Sequence, residues 1–188
     1  MIDSLCDQVR GKHVAVVGLY CDFLAQQSQS AVNMLGAILK QLVSKGGIPE
    51  HIREAFQEAK QEFGGRGLRL PEMVGIMRKT IRSLVRVFIC IDALDECASK
   101  HRLELFGSLR EIVQVSPNVR IFLTGRPHIE DEIMKYFGEV VRIPVIPTQD
   151  DITNYLEMRL DHDPDPYAMD GELRANIMRV IPEKVSEM

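Results

Sequence analysis

The stretch Val87-Phe88-Ile89-Cys90-Ile91-Asp92-Ala93-Leu94-Asp95-Glu96 decides the fold. Its five apolar residues run without interruption into an aspartate, and an acidic pair follows three residues on. An unbroken apolar run of this length predicts a strand buried on both faces, the habit of parallel sheets. A carboxylate at the C-terminal end of such a strand stands where open α/β sheets take their ligands. A hydrophobic strand can equally end in a solvated acidic turn that binds nothing, so the neighbouring segments must decide.

Upstream, Val14-Ala15-Val16-Val17-Gly18-Leu19-Tyr20 is a second apolar run and predicts another buried strand. Before it, Asp3 to Val9 reads as the end of a helix, with Gly11 as its stop signal. Ala31, Leu35, Ile38, Leu39 and Leu42 recur at helical spacing, with Ser28 as the expected cap and Gly46-Gly47 as the end. Pro49 opens a helix carrying Ile52, Ala55, Phe56, Ala59 and Phe63 on one face, and Gly64-Gly65-Arg66-Gly67 breaks it. Pro71 opens a third, with Met73, Val74, Met77, Ile81 and Leu84.

Downstream, Leu103, Phe106, Leu109 and Val113 predict a helix, and Ser116-Pro117-Asn118 turns the chain into a strand over Val119–Thr124. Gly125-Arg126-Pro127 leads to a short helix with Ile129, Ile133 and Phe137, and Val140–Ile143 is expected as the last strand. Thr148 caps a further helix, with Asp151 at the N3 position and Ile152, Tyr155, Leu156 and Leu160 inside. His162-Asp163-Pro164-Asp165-Pro166 breaks the chain before a last helical segment around Leu173 and Ile177. Strands alternating with helices predict an α/β fold on a parallel sheet, with helices expected on both faces. The carboxyl ends of these strands then collect Asp22, Asp92, Asp95, Glu96, Thr124 and Arg126 along one edge.

Composition narrows the partners. The 188 residues suffice for one domain with a real core, and 45% hydrophobic with 27% charged residues is ordinary for a globular chain. A net charge of -4 offers no basic footprint, so no nucleic acid is expected. No apolar run approaches the ~20 residues of a membrane helix, and no membrane association is expected. Met1-Ile2-Asp3-Ser4-Leu5-Cys6 lacks the basic start and apolar core of a signal peptide. Cys6, Cys21, Cys90 and Cys97 show no CxxC spacing, which predicts reduced thiols in a cytoplasmic protein.

The acidic edge suits a metal on phosphate oxygens. Mg²⁺ prefers oxygen ligands and keeps several waters, so Asp92 with phosphate oxygens suffices, and the small Ala93 leaves room beside it. This is the Walker B role of P-loop NTPases. Asp95 or Glu96 would orient an attacking water as catalytic residues. Thr124 and Arg126, at the end of the neighbouring strand, would touch the γ-phosphate, since the arginine fork matches phosphate oxygens. With no nucleotide bound, the same arginine would pair with Asp92 or Asp95.

The partner motif is missing. A phosphate loop reads GxxxxGK[ST] between a strand and a helix. Gly11-Lys12 is the nearest candidate: Cys6 stands five residues before it, His13 replaces Ser/Thr, and a strand follows rather than a helix. Gly64-Gly65-Arg66-Gly67 has no lysine and no strand before it. Without the loop, the backbone cradle for the β- and γ-phosphates is absent from these residues. Elsewhere, Cys97 and His101 could share a metal, though no other ligand is in view, and His162, Asp163 and Asp165 read as a solvated linker. Asp95-Glu96-Cys97-Ala98 is similar to the Asp-Glu box of helicases, but there the strand runs directly into the acidic pair, leaving a helicase-like ATPase as an alternative.

Taken with Tyr20-Cys21-Asp22-Phe23, Gln26-Gln27-Ser28, the helix Asn33–Leu42, and Thr124-Gly125-Arg126-Pro127, the acidic strand resembles the NACHT-type NTPase domains of fungal STAND proteins. Within these it is most similar to the nephrocystin-3-like N-terminal domain, found upstream of ankyrin or other repeats. The resemblance implies a three-layer parallel sheet of the ASCE P-loop type, with residues 1–147 as a partial NTPase domain and 148–188 as the start of a helical lid. It implies a signalling switch, ADP-bound at rest and ATP-bound and oligomeric when active, with Asp92 on Mg²⁺, Asp95 and Glu96 on water, and Arg126 as sensor. In that family the phosphate loop and first strand precede the helix that Ile2-Asp3-Ser4-Leu5 finishes. The missing strand would lie between Val140–Ile143 and Val119–Thr124. The expectation is therefore a truncated domain with nucleotide binding and hydrolysis lost. Its alternative is a non-catalytic interaction module that forms homo-oligomers or pairs with full-length STAND relatives.

Overall fold

The computed structural model describes residues 14–44, 46–62, 65–163 and 169–185. The expected helix over Asp3–Val9, together with Phe63, Asp165 and Ser186 to Met188, lies outside the described residues. The chain divides into two compact units, Met1–Val140 and Val141–Met188.

The first unit is built on a parallel three-stranded sheet, β1 (Val14–Tyr20), β2 (Arg86–Asp92) and β3 (Val119–Leu123), in the order β1-β2-β3. The connection from β1 to β2 carries three helices, α1 (Ala31–Leu42), α2 (Glu50–Gln61) and α3 (Leu70–Arg82). The connection from β2 to β3 carries α4 (Ser99–Val115), and α5 (Glu130–Phe137) follows β3.

The register explains the core. Val17, Ile89 and Ile121 stand side by side across the sheet, as do Ala15, Val87 and Val119, and these positions enter one common core. Leu35 and Ile38 of α1, Met77 and Ile81 of α3, and Leu105, Leu109 and Ile112 of α4 are fully buried in it. Right-handed crossovers between strands added in sequence all pass over the same face. The expected helices on both faces thus reduce, among the described residues, to a core drawn from one face. Val16, Phe88 and Phe122 of the other face are half-buried and outside that cluster, with the two phenyl rings 6.3 Å apart.

The free edge of β1 is closed by a side chain. The Gln41 amide of α1 accepts from Gly18 N–H (2.9 Å) and donates to Gly18 C=O (2.7 Å), imitating a neighbouring strand. Such capping blunts an edge that would otherwise template pairing with another chain.

Two expectations are corrected. Val140–Ile143 forms no strand. A strand exists by pairing, and no described strand lies alongside this segment, so Val141 and Ile143 remain 92% and 75% exposed. Ser30, not Ser28, caps α1, accepting from Asn33 N–H at 3.3 Å, because the Ser28 hydroxyl donates backward to Ala25 C=O at 2.9 Å.

The second unit holds α6 (Gln149–Asp161) and α7 (Gly171–Val185), packed together and joined by an Arg174–Asp161 ion pair at 2.6 Å. Thr148 and Asp151 form the expected reciprocal cap of α6. Leu156 is its buried residue, whereas Tyr155, expected inside, is exposed. Among the described residues, no helix is long and apolar enough to cross a membrane.

Candidate functional site

β2 ends at Asp92, and the backbone reverses at once. Ala93 adopts a left-handed conformation (φ 54°, ψ 45°), which a residue with a Cβ rarely takes. Leu94–Glu96 then form a single 3-10 turn. Backbone held in such a region needs surrounding structure to enforce it, and such positions cluster at functional sites. Here the enforcement comes from β3: Ala93 N–H donates to the Thr124 hydroxyl (3.0 Å), and Leu94 N–H donates to Thr124 C=O (3.0 Å).

The predicted residues meet at this edge. The Thr124 hydroxyl donates to Asp92 Oδ1. Arg126 reaches Asp95 Oδ2 (Nε, 3.4 Å) and Glu96 Oε1 (Nη2, 3.7 Å), and its backbone N–H donates to Asp95 Oδ1 (3.2 Å). The pairing expected between the arginine and a strand-end carboxylate is therefore formed with Asp95 rather than Asp92. The Asp95 side chain is only 6% exposed, against 28% for Glu96 and 73% for Arg126. Asp95 thus holds the Thr124-Gly125-Arg126 turn in place, while Glu96 and the arginine face solvent. Gly125 leaves room at this approach: a Cβ there would lie 2.6 Å from Ile129 Cδ1, so the end of that side chain would have to shift, and 3.4 Å from Asp95 Oδ1.

Asp22 sits at the same end of the sheet but is otherwise engaged. Its carboxylate caps the turn Phe23–Ala25, accepting from Leu24 N–H at 2.9 Å. Cys97 and His101 do not join: the Cys97 thiol donates to Ala98 C=O at 3.7 Å, and His101 pairs with Glu104 at 3.5 Å. Among the described residues no three metal-ligating side chains converge. A cation at Asp92 would take its other ligands from water and phosphate oxygens. That fits Mg²⁺, which is commonly held by one or two carboxylates with waters and substrate phosphates completing its shell.

Residues 1–126 match the family model described as nephrocystin 3, N-terminal. The chain belongs to the nephrocystin-3 N-terminal family. No match is found among curated proteins. Among solved structures, a Walker-type ATPase of Pyrococcus abyssi is similar at 14% identity and a TM-score of 0.39, over 97% of this chain. The chain spans 63% of that protein.

In this nephrocystin-3 N-terminal domain the acidic turn has two supports: Arg102, which the sequence did not single out, and Gln26, which stands in the Gln26-Gln27-Ser28 motif without an assigned role. Arg102 of α4 is 6% exposed and forks onto Glu132 of α5 (Nε 2.7 Å, Nη2 2.9 Å). Its remaining nitrogen donates to Cys97 C=O (2.8 Å) and Leu94 C=O (3.4 Å), the carbonyls that bracket the turn. The Arg102 guanidinium holds the Glu132 carboxyl below the usual carboxylate range. Gln26 adds a clamp from the other side, donating to Glu96 C=O at 2.8 Å. A basic residue inside an amphipathic helix reads as surface in sequence, so only the fold shows that Arg102 points inward.

Proposed function

We propose that this chain carries the metal-facing and γ-phosphate-facing half of a nucleotide pocket, from a NACHT-type STAND signalling NTPase of the fungal kind. The observation that supports it is the junction of β2 and β3, where Asp92, Thr124, Asp95, Glu96 and Arg126 meet at one strand-end edge. In this reading Asp92 holds Mg²⁺ on the nucleotide, with Thr124 fixing one carboxylate oxygen and leaving the other for the cation. Glu96, the more accessible of the acidic pair, orients water, and Asp95 acts with it while holding the arginine segment. Arg126 exchanges its carboxylate partners for the γ-phosphate, which makes it a reporter of ATP against ADP.

Residues 1–147 are then the NTPase part and 148–188 the beginning of a helical lid. The three-layer ASCE sheet would be completed by a strand beside the open edge of β3. The GxxxxGK[ST] loop is absent from the 188 residues, so nothing here supplies the cradle for the β- and γ-phosphates. Nucleotide affinity of these residues alone is accordingly poor, and hydrolysis is lost with it.

A second reading is a non-catalytic module that pairs with another copy or with full-length relatives. The observation that favours it is the exposed apolar segment with Val141 and Val145 both 92% exposed, which has the period-two pattern of a strand without a sheet. Isothermal titration with Mg·ATP and Mg·ADP tests the first reading, with no binding expected below millimolar. Micromolar binding would show an intact pocket and overturn this reading. Light scattering on a size-exclusion column tests the second, and a monomer that takes up no relative would count against it.

A further inference from the structure

We propose that the two ends of the parallel sheet make a head-to-tail contact between copies of this chain, an acidic apolar knuckle of one copy docking on the basic end of the next. The knuckle is the segment that ends and follows β1. Leu24 is 91% exposed, Tyr20 and Phe23 are exposed with it, and none of the three packs against the common core. Apolar residues scattered singly over a surface need no partner. These three instead stand together at the end of one strand, on backbone fixed by its own hydrogen bonds. Ala25 N–H donates to Asp22 C=O (3.0 Å), and Leu24 N–H donates to the Asp22 carboxylate (2.9 Å). The Gln29 amide closes the loop, accepting from Asp22 N–H (3.3 Å) and donating to Asp22 C=O (2.6 Å). A knob held this stiffly loses little freedom on docking.

Charge names the occupant. The knuckle shares its end of the sheet with Asp22, Asp92 and Glu96, and α5 opens there with Glu130 and Asp131. Of the cations at this end, Arg126 is paired with Asp95 and Glu96, and Lys100 stands in the first turn of α4. The strands are parallel, so the opposite end collects their starts, and there the sign reverses. Arg82 ends α3, Arg86 begins β2 and Arg120 lies near the start of β3, and all three are exposed. Glu111, towards the end of α4, is already paired with Arg78 at 3.1 Å. Val85, between the first two arginines, is 69% exposed. This end is stiff as well. The Asn118 amide donates to Ile81 C=O (3.1 Å) and Leu84 C=O (2.8 Å), and Arg120 folds back onto Pro117 C=O and Val119 C=O (2.9 Å each). An apolar knob rimmed by acid complements an apolar patch rimmed by arginine. Because the two surfaces differ and lie at opposite ends, each added copy leaves one of each kind unused, so association continues past two. The inference deepens the pairing reading given above, on surfaces other than Val141 and Val145, and needs no nucleotide.

Sedimentation velocity of the whole chain, from about 10 µM to about 1 mM, covers the range of a weak contact. The expected result is a mass that rises with concentration beyond two copies. Raising salt from about 0.1 M to about 1 M shortens the screening length from about 10 Å to about 3 Å and should return the chain to monomer. Leu24→Glu spoils the knuckle and leaves the basic end intact, whereas Arg86→Glu does the reverse. Each variant alone should be monomeric, and an equal mixture of the two should form a dimer that grows no further. Both side chains are exposed, so the urea midpoints should match the wild type. If a variant fails to fold, wild-type amide signals decide: those of residues 22–24 and 83–86 should shift together with concentration. A wild type that stays monomeric, a dimer that stops at two copies, or amide shifts at other residues would overturn the proposal. Association that survives both substitutions would also overturn it, and would leave pairing through Val141 and Val145 standing.

Discussion

Replacing Arg102 with methionine removes the post on which the acidic turn rests. Breaking a fully buried ion pair by deleting one partner costs about 3–5 kcal/mol, because the other charge is stranded. Glu132 is 29% exposed and regains water on losing its partner, which places the cost at the lower end. The carbonyls of Leu94 and Cys97 also lose their donor, at about 1 kcal/mol each where water does not replace it. The sum, allowing for overlap, is about 3 kcal/mol, or roughly 6–12 °C in Tm for a chain of this size. Arg102→Lys keeps the charge but not the fork and should lose about half as much. Urea unfolding measures it, as a fall in midpoint with an unchanged slope. The pH dependence has a definite sign: the Glu132 carboxyl is lowered in the folded chain from its ordinary value of 4.5. The stability the pair contributes is therefore present above about pH 4.5 and is lost as pH falls through the folded value. A loss below about 1 kcal/mol for Arg102→Met at neutral pH would refute the view that this pair anchors the turn.

The other expectations are smaller. Ala93→Gly relieves a left-handed alanine at φ 54°, worth about 1 kcal/mol, against about 0.5 kcal/mol of added freedom in the unfolded chain. The net expectation is a slightly higher urea midpoint, and a clear destabilisation would mean the alanine methyl makes a packing contact that matters. Gln41→Ala removes both hydrogen bonds to Gly18 and reopens the β1 edge, costing about 1–2 kcal/mol. Light scattering after mild heating should show earlier aggregation, and unchanged behaviour would deny the edge-capping role.

What the sequence disclosed follows from which signals are local. The runs Val14–Tyr20 and Val87–Ile91 carry their burial in uninterrupted apolar residues, and both lie in strands. The spacing in α1, α3 and α4 likewise marks their buried faces. Val140–Ile143 has equal β character but forms no strand, because pairing is a property of a neighbour and not of the segment. At the site, strand-end position was enough to gather Asp92, Thr124, Asp95, Glu96 and Arg126. The difference in burial between Asp95 and Glu96 and the Arg102 post depend on packing between elements far apart in sequence. A charge-bearing helix position such as Arg102 gives no sign in one sequence of which way it faces.

In the proposed function Asp92, Thr124 and Arg126 line the phosphate-and-metal side of a pocket whose cradle is not in these residues. Backbone NMR during titration of Mg·ATP into the millimolar range tests it directly. Weak, non-saturating shifts confined to residues 92–97 and 124–126, abolished by Asp92→Asn, are expected. Shifts centred elsewhere, or tight saturable binding that survives Asp92→Asn, would contradict it.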